Sequence, residues 1–102
     1  MERISVIVPV FHGRKYIDSM IAQIEKCAVM CCGGYSLELL FVNDDPDEPI
    51  GARASEKVEI KVIETDVNRG IHGARVRGLE RCTGDYVLFL DQDDRIAREY
   101  FV

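Results

Sequence analysis

Three carboxylates, Asp91, Asp93 and Asp94, fall within four residues, interrupted only by Gln92 and preceded by the apolar run Val87-Leu88-Phe89-Leu90. Like charges this close repel and raise one another's pKa unless a cation intervenes. Hard carboxylate oxygens suit a divalent ion of the Mg2+ or Mn2+ kind. One or two carboxylates leave such an ion open positions for phosphate oxygens and water, so it can act as a Lewis acid on a leaving diphosphate. Helix capping is the competing explanation. A cap contributes about 1 kcal/mol, which accounts for one aspartate and not three. One of them is expected to cap a helix starting near Arg95. A second acidic group, Asn43-Asp44-Asp45, opens a turn-rich loop through Pro46, Asp47, Glu48 and Pro49.

Both acidic groups follow segments that read as buried strands. Ile4 to Val10 and Leu37 to Val42 are short, nearly continuous apolar runs, as in a parallel sheet covered on both faces. Val58 to Ile63 alternates, with Val58, Ile60 and Val62 on one face, which predicts a half-exposed strand near a sheet edge. Asp85 to Leu90 predicts the last strand. Between them, Lys15 to Cys31 places Ile17, Met20, Ile21, Ile24, Ala28 and Cys31 at helical spacing, ending at Gly33-Gly34. A short helix is expected over Ile50 to Lys57. Another is expected over Ile71 to Cys82, with Asn68 as its N-cap and with Gly73 and Gly78 marking close packing. Arg95 to Val102 is expected to begin a further helix. Alternation of strand and helix defines an α/β class, a Rossmann-like parallel sheet with flanking helices and right-handed crossovers. Ligands bind beyond the carboxyl ends of such strands. Those ends carry Pro9 to His12, Asn43 to Asp45 and Asp91 to Asp94.

The 102 residues suit one domain, 1–102, of ordinary globular composition. A net charge of −5 argues against nucleic-acid binding by phosphate neutralisation. No apolar stretch reaches the roughly 20 residues needed to span a bilayer, and a cytoplasmic location is expected. Cys27, Cys31, Cys32 and Cys82 lack zinc-site spacing and are expected to be reduced thiols. His12 and His72 read as surface or turn histidines rather than bases. The Arg69, Arg75, Arg77 and Arg81 series reads mostly as a solvated helix face.

Three segments together resemble the family 2 glycosyltransferases of GT-A fold. ISVIVPVF (4–11) resembles that family's opening strand, LLFVNDD (39–45) its second strand and acidic loop, and NRGIHGARVRGLERCTGDYVLFLDQDD (68–94) its Asn-x-Gly helix, Ala-Arg pair, Gly-Asp-Tyr segment and Asp-x-Asp-Asp terminus. The resemblance covers essentially the whole chain and implies the N-terminal half of a GT-A fold. It further implies a nucleotide-diphospho-sugar donor, with UDP the expected nucleotide, an inverting single displacement and a Mn2+ or Mg2+ ion. A glycan or lipid-linked acceptor is implied for the full enzyme, whose parent chain is compatible with membrane association. By position, Pro9, Val10 and Phe11 would border the base, and Asp44 would hydrogen-bond the uracil or ribose. Asp91 would face the ribose or sugar and share the metal with Asp93, its main ligand. Arg75 would lie close to the nucleotide or the Asp-x-Asp loop. Departures are Asn43 in place of an Asp, Asp45-Pro46 in place of Gly-Ser, and His12 where Asn is common.

Inverting transfer needs a general base at the acceptor hydroxyl, and no residue here is a convincing one. The chain therefore reads as the donor half of an enzyme, either a portion of a longer protein or a naturally short one. Self-association through an exposed sheet edge or the C-terminal segment is expected. Two other functions fit parts of the pattern: a non-catalytic nucleotide-binding or interaction module of the same fold, and an Asp-x-Asp phosphatase of the haloacid-dehalogenase kind. The latter normally carries its motif on an early strand, whereas here it follows the last. Receiver-domain and dinucleotide-fold signatures are not matched, since Gly70, Gly73 and Gly78 do not form G-x-G-x-x-G.

Overall fold

Four strands, β1 (Glu2–Val10), β2 (Tyr35–Asn43), β3 (Glu59–Glu64) and β4 (Tyr86–Phe89), form one sheet in the order β3-β2-β1-β4. All neighbouring pairs are parallel. The structure, a computed structural model, describes residues 2–31 and 34–101. Cys32, the expected helix stop at Gly33, and Val102 lie outside the described residues.

The continuous apolar character of β1 and β2 has its expected cause, because both strands are central and covered on both faces. Val6, Val8, Leu39 and Phe41 point to one side, where helix α1 (Ile17–Met30) lays down Ile17, Met20, Ile24 and Cys27. Ile7, Leu40, Val42 and Ile63 point to the other, against Ala74 of helix α2 (Gly70–Arg81). Gly78 of α2 sits directly on Ile7, where an added Cβ would lie 2.5 Å from a methyl carbon, so the expected close packing is found. β3 lies at one edge, as its alternation predicts, with Ile60 and Val62 toward α1 and Lys61 toward α2.

Two expected helices do not form. Residues 50–57 are irregular. Pro49 lacks an amide hydrogen, and Gly51 adopts φ +80°. The Ile50 and Gly51 amides donate to Glu64 Oε2 at 3.0 and 2.9 Å instead of entering a helical ladder. Residues 95–97 are irregular and 98–101 form a turn, with no α-helix. Side chains of α1 hold this backbone: Ile96 N–H donates to Gln23 Oε1 at 2.9 Å, and Gln23 Nε2 donates to the Asp94 carbonyl at 3.3 Å. Asp94 accordingly caps no α-helix. Its Oδ2 accepts the Asp91 amide at 2.8 Å and closes the 91–94 turn.

The α2 side of the sheet contains a buried acid. Glu38 is wholly inaccessible to water. It accepts hydrogen bonds from Ser5 Oγ (2.6 Å), Thr83 N–H (2.9 Å) and Thr83 Oγ1 (3.1 Å), and it pairs with Lys61 Nζ at 2.5 Å. Ser5 Oγ in turn accepts the Gly84 amide at 2.8 Å, so the cluster fastens the segment leading into β4 onto β1 and β2. Lys61 also donates to the Arg81 carbonyl at 3.2 Å, a cation at the negative end of α2. Burial pushes the Glu38 carboxyl up. The bonds from Lys61, Ser5 and Thr83 outweigh it and hold the group at about 2.

A carboxyl depressed in the folded state contributes stability above its unfolded pKa and loses it as pH falls through its folded value. The Glu38 contribution is therefore present above pH 4.5 and is lost on acidification toward about pH 2. Urea unfolding of Glu38→Gln is expected to show a loss of about 3 kcal/mol at neutral pH, as when a buried pair is broken. The acid-dependent loss across that window should also be shallower than in the wild type. Equal stability of the two proteins at pH 7 would contradict this role.

Candidate functional site

The carboxyl ends of β1, β2 and β4 and the first turn of α2 enclose a cleft of about 420 Å3. Pro9, Val10 and Phe11 form one wall, and Asn68, Gly70, Ile71 and Ala74 of the α2 start form another. Asp44 lines the cleft from β2, and Asp91, Gln92 and Asp93 line it from the loop after β4. Of the residues expected at the site, Pro9, Val10, Phe11, Asp44, Asp91 and Asp93 meet here. Arg75 is not part of the lining. Its guanidinium lies over the Phe89 ring, 5.5 Å from the centroid, and its Nε is buried without a hydrogen-bond partner.

Asp44 is buried, and each of its carboxylate oxygens accepts one backbone amide, those of Arg69 and Gly70 at 2.7 and 2.8 Å. These are among the first amides of α2, which have no partner inside the helix. Asn68 is not at the cap position itself, which falls on Arg69, but its Oδ1 also accepts the Gly70 amide at 2.9 Å. Gly70 meets both acceptors with φ +78°, a left-handed conformation that costs other residues roughly 1–2 kcal/mol. The Asn-x-Gly spacing thus has a local reason: an Asx-turn that leads a glycine into the helix under the Asp44 carboxylate.

Gln92 is the residue least visible beforehand. Its amide makes a reciprocal pair with the Phe11 backbone, Phe11 N–H to Oε1 at 3.0 Å and Nε2–H to the Phe11 carbonyl at 3.1 Å. This pair ties the 91–94 loop to the end of β1. Gly13 leaves room for it, since a Cβ there would stand 1.9 Å from Gln92 Oε1. With the loop so held, Asp91 and Asp93 are exposed, and among the described residues their carboxylates have no hydrogen-bond or ion-pair partner. Two unpartnered hard-oxygen donors at the mouth of a cleft fit a divalent ion that completes its shell with water and phosphate oxygens.

Asn43, the departure from the acidic pattern, organises the β2 loop. Its Nδ2 donates to Glu64 Oε1 at 2.7 Å and to the Glu48 carbonyl at 2.8 Å, while its Oδ1 accepts the Asp45 amide at 3.1 Å. An aspartate there would face Glu64 with like charge and could not donate.

A parallel α/β sheet with its cleft and acidic loops beyond the strand carboxyl ends is the architecture of the N-terminal part of a GT-A fold. The glycosyl transferase family 2 model matches residues 5–101, and the chain belongs to that family. It is 36% identical to glycosyltransferase GlyA of Streptococcus pneumoniae, over 97% of this chain and 14% of the relative. It is 31% identical to the poly(ribitol-phosphate) β-N-acetylglucosaminyltransferase TarS of Staphylococcus aureus, over 97% of this chain and 18% of that protein. The crystal structure of S. aureus TarS 1-349 in complex with UDP superposes with a TM-score of 0.71 at 26% identity, covering 95% of this chain and 29% of that one. The chain therefore spans under a third of these relatives' lengths.

The Gln92–Phe11 pair generates a test. Gln92→Ala should cost about 1 kcal/mol in urea unfolding. Gly13→Ala should cost a similar amount by evicting the Gln92 amide, and the double variant should be no less stable than Gln92→Ala alone. Additive losses would show that Gly13 acts independently of Gln92.

Proposed function

We propose that this chain is the donor-binding part of an inverting glycosyltransferase that uses a nucleotide-diphospho-sugar, with UDP as the nucleotide and a Mn2+ or Mg2+ ion on the Asp-x-Asp motif. The observation that carries the proposal is the pair of unpartnered carboxylates, Asp91 and Asp93, at the mouth of the cleft between the β1 end and the α2 start. The relative solved with UDP supports the choice of nucleotide.

In this reading Pro9, Val10 and Phe11 border the base, and the 43% exposed Phe11 ring offers a stacking face. Asp44 keeps its bonds to α2 and offers its remaining lone pairs to the uracil or ribose. Asp91 faces the ribose or sugar, and Asp93 is the principal metal ligand. When bound, the metal supplies charge neutralisation for the leaving diphosphate. The Gln92 amide holds the loop so that the two carboxylates keep their places. Arg75, stacked on Phe89 behind the loop, acts on the site through β4. Deprotonation of a glycan or lipid-linked acceptor is assigned in this reading to a group outside the residues that line the cleft. A cytoplasmic location belongs to the same proposal.

Calorimetric titration with UDP and Mn2+ should show metal-dependent binding that Asp93→Ala weakens at least tenfold. Binding that is absent, or indifferent to the metal and to Asp93, would overturn the donor-site reading and leave a nucleotide-independent interaction module. Hydrolysis of phosphate esters abolished by Asp91→Asn would favour a phosphatase instead. Self-association is also proposed. Val87 and Phe89 on the α2 face of edge strand β4, with Val76 and Leu79 of α2, leave apolar surface exposed. Sedimentation at high micromolar concentration should detect dimers or larger species, and a monomer there would count against them.

A further inference from the structure

Outside the proposed donor cleft, a different set of metal-ligating side chains converges. His12, Asp45 and Glu48 bring one imidazole nitrogen and two carboxylate oxygens within 4.8 Å of one another. Among the described residues no other group of three or more such side chains does so. Their elements are the turn after β1 and the loop after β2.

Each residue is placed there by something the fold supplies. His12 has φ +52°, and among the described residues it is the sole non-glycine with positive φ. That conformation costs about 1–3 kcal/mol, and strain of this kind gathers at functional sites. It directs Nδ1 to 2.8 Å from Asp45 Oδ2 and 3.9 Å from Glu48 Oε2. Asp45 is only 4% exposed. Its Oδ1 accepts the Asp47 amide at 3.0 Å, which fixes the carboxylate. Its Oδ2 is buried and makes no hydrogen bond, its polar neighbour being His12 Nδ1 at 2.8 Å. A buried carboxylate oxygen left in that state is costly. The carbonyl of Glu48 accepts a hydrogen bond from Asn43 Nδ2 at 2.8 Å, and its half-buried side chain places Oε2 3.9 Å from His12 Nδ1.

We infer that His12, Asp45 and Glu48 bind a divalent transition ion of the zinc class, at a site separate from Asp91 and Asp93. An imidazole and two carboxylates balance a dication in charge and match its borderline softness. Three protein ligands leave one tetrahedral position open. Donors about 2.1 Å from zinc stand about 3.4 Å apart, so His12 Nδ1 and Asp45 Oδ2 open from 2.8 Å and Glu48 closes from 3.9 Å as the set forms. The ion satisfies Asp45 Oδ2 and clips the β1 turn to the β2 loop. The His12 and Phe11 rings are 4.0 Å apart, so the clip also sets the wall of the cleft. The inference does not depend on the cleft binding a nucleotide.

Chelator-treated protein should be titrated with ZnCl2 by calorimetry, and with CoCl2 by visible absorption, in the absence of nucleotide. One Zn2+ per chain is expected. His12→Asn, which tolerates positive φ, and Glu48→Gln should each weaken it at least tenfold with unchanged far-ultraviolet circular dichroism. Asp93→Ala should bind Zn2+ as the wild type does. The Co2+ form should lack a thiolate charge-transfer band. No Zn2+ uptake, equal affinity in both His12 and Glu48 variants, or a thiolate band assigning the metal to cysteines would each overturn the site and leave a plain His12–Asp45 ion pair.

Discussion

The carboxylate of Asp44 joins the end of β2 to the start of α2 by accepting the Arg69 and Gly70 amides. That bond fixes where α2 begins, and the α2 start is one wall of the cleft. A helix N-terminus carries partial positive charge and free amides, and would otherwise be an anion site in its own right. Here an internal carboxylate takes that place. In the proposed donor reading, capture of a diphosphate therefore falls to the other side of the cleft, where a cation on Asp91 and Asp93 would mediate it. The division of labour between the two acidic loops follows from which of them is already neutralised by backbone.

A second fastening acts from below. Glu38, buried under α2, holds Thr83 and, through Ser5, Gly84 to the central strands. This segment feeds β4, whose end launches the 91–94 loop. Gln92 then ties that loop to Phe11, just past β1. β4 is thus fastened before its start to β1 and β2 and just past its end to Phe11, which keeps two exposed like charges side by side without a partner.

Much of this was legible in the residues and some was not. β1 and β2 declare themselves because central parallel strands are apolar on both faces, and β3 because an edge strand alternates. The part of the cleft lining that comes from strand ends was readable, since α/β topology brings those ends together; the wall from the α2 start was not. Residues 50–57 and 95–101 misled because their local patterns are weak and distant side chains, Glu64 and Gln23, claim the backbone amides. The role of Gln92 was invisible for the same reason: it depends on a partner 81 residues away. Glu38 sits in an apolar run with no local sign that Ser5, Lys61 and Thr83 converge on it. His12 read as an ordinary turn histidine, because neither its backbone conformation nor the burial of Asp45 is encoded in spacing.

The central claim is that one cleft, framed by Phe11, the α2 start and the 91–94 loop, receives the donor nucleotide. Amide chemical-shift mapping of the labelled protein on addition of UDP with Mg2+ tests it most directly. Shifts concentrated at residues 9–11, 68–71 and 91–94 are predicted, and they should collapse in Asp93→Ala. Shifts centred anywhere else on the sheet, or none at saturating nucleotide, would contradict it.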